Sequence, residues 1–103
     1  MSFQVNEGPC ATTTDGTCFT SPGWPSNYGD SESCAIVVGA DASLVVQSFA
    51  TESCCDKLTV NGVQYSGSGV GLNGLVVRAG DVITWRSDYG VTAAGFSICS
   101  GGT

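Results

Sequence analysis

Six cysteines in 103 residues, two of them adjacent at Cys54-Cys55, with no histidine, constrain this chain more than any other feature. A domain of this length buries a modest core and gains from covalent staples, and cysteine-dense small domains belong to oxidising compartments. The expected reading is one secreted, extracellular domain spanning residues 1–103, with its core at about 10–99. The N-terminal MSFQVNEGP lacks the apolar run of a signal peptide, so a mature domain is expected.

The adjacent cysteines sit between two carboxylates in TESCCDKL, at Glu52 and Asp56. Three chemistries fit such a stretch: a redox switch, a sulfur-ligated metal site, or a calcium loop that carries a disulfide. Zinc would want four N or S ligands at finger-like spacing, and the chain has neither histidine nor Cys-x-x-Cys. A redox switch remains open, because strained and exposed disulfides are the reducible ones.

Charge removes other classes. Nine acidic residues against three basic ones give a net charge of -6, too little cation to neutralise a phosphate track or to dock on an anionic membrane. No apolar run approaches the roughly 20 residues of a membrane span, so no membrane insertion is expected. An acidic surface suits calcium or a basic partner.

The apolar residues come in short runs rich in β-branched and aromatic types: CAIVVG, SLVVQSF, KLTV, VQYSG, LVVRAG, VITWRS and GFSIC. Alternation of this kind, cut by turn chemistry, predicts strands. Asn61-Gly62 between KLTV and VQYS is the strongest turn signal, since a type I′ turn needs positive φ at both central positions. The fold expected is an all-β antiparallel sandwich whose core includes Ile36, Val38, Val46, Leu58, Val60, Ile83, Phe96 and Ile98. Trp85 reads as a core aromatic. Trp24, between Pro22 and Pro25, reads as a corner aromatic that could also meet a partner.

The order GTCFTSPGWPSNYGDSESCAIVV, LVVQSFATESCCDKLTVNG, VITWRSDYGVTAAGFSIC resembles a CUB domain across nearly its whole length. The corner reads Ser21-Pro22-Gly23-Trp24-Pro25 with Tyr28 behind it. Cys34 opens a strand, an acidic loop runs from Phe49, and Asp56-Lys57-Leu58 begins the next strand. Ser87-Asp88 and Gly95-Phe96 follow late in the chain. The resemblance implies a jelly-roll-like CUB sandwich with calcium at one end, held by Glu52, Asp56 and Asp88, with Tyr28 supporting the glutamate. Calcium takes about six to eight oxygen ligands, and three loop carboxylates completed by carbonyls and water would satisfy it. Without a cation, three such charges would repel one another. Glu52 and Asp56 are closer in sequence than the family's acidic loop usually allows, which makes Asp41, Asp30 and Glu32 the nearest substitutes.

The resemblance also implies a Cys10 to Cys34 bridge. The family's later Tyr-Cys-Gly reads Tyr65-Ser66-Gly67 here, so the usual partner of Cys54 is a serine. Pairing Cys18 with Cys99 would staple an early strand to the last, leaving Cys54 and Cys55 to each other. Cys10 with Cys18 stays open, since six cysteines allow fifteen connectivities.

Without histidine a nucleophile would depend on carboxylates or Lys57, and no paired-acid motif stands apart from the calcium candidates, so catalysis by this chain is not expected. The expected function is a calcium-dependent binding module that presents Tyr28, Tyr89, Trp24 and the acids to a protein ligand with basic side chains or to a glycan. Multivalent or tandem assembly would raise its affinity. The alternatives are a structural subunit of an extracellular filament, coat or matrix, and a redox-sensitive module that uses Cys54 and Cys55.

Overall fold

The computed structural model describes residues 2–101. Ten strands follow in order: β1 (Phe3–Glu7), β2 (Ala11–Thr12), β3 (Cys18–Thr20), β4 (Ser33–Val38), β5 (Ala42–Ala50), β6 (Lys57–Val60), β7 (Val63–Tyr65), β8 (Val76–Val77), β9 (Val82–Arg86) and β10 (Gly95–Gly101). They form two five-stranded antiparallel sheets, ordered β1-β4-β9-β6-β7 and β2-β3-β10-β5-β8. The fold is all-β, and among the described residues no helix is long and apolar enough to cross a membrane.

Alternation explains the first sheet. Cys34, Ile36 and Val38 on β4, Ile83 and Trp85 on β9, and Leu58 and Val60 on β6 are all buried, while their neighbours face outward. The Asn61-Gly62 turn closes the β6–β7 hairpin between paired Val60 and Val63, with φ of 52° and 81° as a type I′ turn requires. Across the core, Phe19, Phe96, Ile98 and Leu44 come from the second sheet. Edge-to-face contacts of Phe19 with Phe3, and of Trp85 with Phe96, join the two layers at centroid distances of 4.7 and 5.1 Å. Val46 alone of the expected core residues is only partly buried. The β5–β10 register slips between Ser97 and Ile98, and the slip breaks the alternation on β5 beside Val46.

The first three strands are additions to what the apolar runs indicated. Phe3 is fully buried and Val5 packs against the core, but two apolar residues in FQVNE give a faint pattern. Pairing with β4 supplies what the local sequence lacks.

The bridges are Cys10–Cys34, Cys18–Cys99 and Cys54–Cys55, with no free cysteine. Cys10 precedes β2 and Cys34 lies on β4, so this staple links the two sheets. Cys18 and Cys99 are register partners on β3 and β10. Three disulfides are consistent with an extracellular protein.

Candidate metal centre

Three connections meet at one end of the sheets: the β3–β4 segment carrying Tyr28, the β5–β6 loop of residues 51–56, and the β9–β10 loop of residues 87–94. The β5–β6 loop is short and tight. Its Asp56 amide donates to the Glu52 carbonyl at 3.4 Å, which folds the two acids of TESCCDKL onto the same side. Ser66, where the resembled pattern has a cysteine, donates to the Ser53 carbonyl at 2.9 Å, and Lys57 Nζ donates to the same oxygen at 3.0 Å. Hydrogen bonds thus fasten the loop where a bridge is missing.

Asp56 is fully buried and is the anchor of the cluster. Tyr28 Oη donates to its Oδ2 at 2.5 Å, and the Asp88 amide donates to its Oδ1 at 2.9 Å. Tyr28 Oη also accepts from the Glu52 amide at 3.2 Å. Tyr28 therefore holds the carboxylate of Asp56 and the backbone of Glu52, a wider role than support for the glutamate alone. Its ring packs edge-on against Trp85 at 4.9 Å. Burial first, and then the hydrogen bond to Asp56, push its phenol well above the ordinary range.

Glu52, Asp56 and Asp88 each place a carboxylate oxygen within 4.8 Å of the others. Glu52 Oε1 and Asp88 Oδ1 are buried with no hydrogen-bond partner among the described residues. Burial is the largest cause that raises the Glu52 carboxyl, followed by the charges of Asp88 and Asp56. Burial likewise leads for Asp88, followed by its contact with the Asp56 carboxylate. These are acids assembled against their mutual repulsion, with acceptor atoms left over, and an all-oxygen set of this kind has the donor chemistry that hard cations use. Cys54 and Cys55 also stand near Glu52, but their sulfurs are joined to each other and offer no thiolate.

The substitutes are not part of this converging set. Asp41 pairs with Arg78 at 3.5 Å and accepts from the Ala79 amide, Glu32 accepts from the Gly29 amide, and Asp30 is exposed. Tyr89, 82% exposed, stands on the loop next to Asp88, whereas Trp24 is half-buried on the corner. Beside the acids opens a cleft of about 530 Å³ that includes Lys57, Arg86 and Tyr89 in its walls, a feature that no sequence motif signalled.

Neither a scan against protein-family models nor a search of curated proteins finds a match to this chain.

Proposed function

We propose that this protein is a secreted, CUB-like binding module in which Glu52, Asp56 and Asp88 hold a calcium ion and so set the loops that meet a partner. The observation that carries the reading is the convergence of three carboxylates around two buried, unpartnered oxygens, Glu52 Oε1 and Asp88 Oδ1. An all-oxygen donor set on loops suits calcium, which accepts flexible geometry, better than zinc. Calcium would supply the positive charge that offsets the clustered acids and would tie the 51–56 loop to the 87–94 loop. Tyr89 and Val91, 82% and 58% exposed, project from the second of these loops and offer contact surface. A basic side chain from a protein partner, or a glycan, is the ligand class that an ordered acidic edge fits.

A thermal melt in EGTA and in calcium tests the reading. Extracellular calcium modules bind at about 10⁻⁴ to 10⁻³ M. A tenfold excess over the dissociation constant stabilises the folded state by about 1.4 kcal/mol. For a domain of this size that raises Tm by roughly 6 to 11 °C. A melt that calcium does not move sinks the proposal.

The exposed Cys54–Cys55 pair favours a second reading, a redox-sensitive module. Mild reductant should then open that bridge first and alter partner binding, and resistance of the bridge to reductant removes this reading.

A further inference from the structure

The cleft beside the acids has a chemistry of its own. Ser33, Arg86 and Lys57 are successive register neighbours across β4, β9 and β6, on the face of the first sheet opposite buried Trp85 and Leu58. Thr59 and Gln64, paired on β6 and β7, continue this polar stripe. Asp88 and Tyr89 stand at the end nearest the acidic cluster.

The cleft gathers most of the molecule's scarce positive charge. The chain has three basic residues and a net charge of -6, yet two of the three line the cleft. The third, Arg78, is paired with Asp41. Lys57 Nζ donates to neutral oxygens, the Ser53 carbonyl and the Ser66 hydroxyl, and among the described residues it forms no ion pair. Among the described residues no carboxylate forms an ion pair with Arg86. Glu32, the other acid lining the cleft, is turned to the Gly29 amide. Glu32 and Asp88 share the cleft with Lys57 and Arg86, but among the described residues neither acid forms an ion pair with either cation, and a guanidinium fork beside an ammonium matches a carboxylate.

The remaining lining selects what the carboxylate belongs to. Ser33, Thr59 and Gln64 offer a row of hydroxyl and amide groups, and exposed Tyr89 offers an aromatic face at the rim. A simple acid would engage the cations and leave this row unused, and a neutral sugar would use the row and leave the cations unmatched. The volume, about 530 Å³, is in the range of small-ligand clefts. We propose that this cleft binds an acidic sugar, a uronic or sialic acid unit, with its carboxylate on Arg86 and Lys57 and its hydroxyls along Ser33, Thr59 and Gln64. One part rests on the calcium reading above: Asp88 belongs to both sites, so a bound cation that offsets its charge strengthens anion binding in the cleft.

The test is an amide NMR titration of isotope-labelled protein with glucuronate, galacturonate and N-acetylneuraminate, in EGTA and in calcium. Glucose, acetate and a short Asp- and Glu-containing peptide serve as comparisons. The acidic sugars should give saturable shifts at residues 57–59, 64 and 86–89 in the millimolar range, the scale for one small ligand in an open cleft. Glucose and acetate should bind at least about tenfold more weakly, since each loses one set of charge-assisted or neutral hydrogen bonds. Arg86→Gln should weaken the acidic sugars by about tenfold while the calcium-induced rise in Tm persists. The assignment is overturned if acetate, glucose or the peptide matches the sugars, if no saturable response appears at these amides, or if Arg86→Gln leaves affinity intact. Sugar binding that persists beside a calcium-insensitive melt overturns the calcium reading alone and leaves the cleft assigned.

Discussion

Tyr28 Oη donates to Asp56 Oδ2 while accepting from the Glu52 amide, so one phenol ties the buried anchor of the acidic cluster to the loop that carries its neighbour. The tyrosine ring is itself fixed by the edge contact with Trp85. Core packing is thus transmitted to the acids through a single oxygen.

Tyr28→Phe should keep the ring contact and remove that oxygen. The Asp56 carboxylate then loses one of its two donors, keeping only the Asp88 backbone amide, and the Glu52 amide loses its acceptor. A hydrogen bond to a buried charged group contributes about 2 kcal/mol, which lowers Tm by roughly 10 °C in EGTA. A melt of the variant within a degree or two of the parent would show that the phenol is not the link.

Neutralising Asp88 should act with opposite signs in the two conditions. In EGTA, Asp88→Asn relieves repulsion with Glu52 and Asp56, so the variant should melt above the parent. In calcium it lacks a charged ligand, its affinity falls by at least about tenfold, and the parent should melt higher. An ordinary surface acid would shift the melt equally in both conditions, and that result removes the cation site.

Much of this fold is legible in the sequence because the strands of the first sheet are buried on one face only. Ile36, Val38, Leu58, Val60, Ile83 and Trp85 alternate with outward residues, and Asn61-Gly62 fixes the register of β6 and β7. The N-terminal strand is not legible, since Phe3 and Val5 gain their meaning only from β4, far along the chain. Glu52, Asp56 and Asp88 are reached through the resemblance, and their shared side of the molecule is a property of three loops that no local pattern encodes. The cleft is harder still. It is assembled from every second residue of neighbouring strands, and Lys57 and Arg86 become neighbours only through the β6–β9 register.

The acidity of the cluster gives a pH dependence of unusual sign. Glu52 and Asp88 both titrate above their ordinary values because burial and neighbouring carboxylates disfavour ionisation. A carboxyl raised in the folded state binds its proton more tightly there than in the unfolded chain, so this contribution falls as pH rises from the ordinary carboxyl values through the folded ones. The cost is absent below that window and complete above it. In EGTA these two groups should therefore lower Tm as pH climbs from about 4 towards neutrality. Calcium competes with the same protons, so its stabilising effect should grow over the same interval. Melts at matched ionic strength, with and without calcium, should diverge with pH, and parallel curves would count against the shared site.

Two of the bridges should differ sharply in what their removal costs. Cys18–Cys99 spans a sequence separation of 81, and Cys54–Cys55 a separation of 1. Chain entropy assigns about 4.5 kcal/mol to the first and roughly 1 kcal/mol or less to the second. Replacing Cys18 and Cys99 by serine should therefore bring the denaturant midpoint down sharply or prevent folding, whereas Cys54→Ser with Cys55→Ser should leave global stability nearly intact. The vicinal pair instead sits in the middle of the loop between Glu52 and Asp56, whose two ends are both held by Tyr28 while Ser66 holds the Ser53 carbonyl. Its loss frees two residues between two of the proposed ligands, so the serine pair should weaken the calcium-induced rise in Tm more than it changes the melt in EGTA. If both melts fall together, the bridge serves folding; if calcium alone is affected, the adjacent cysteines exist to hold the acidic loop in shape.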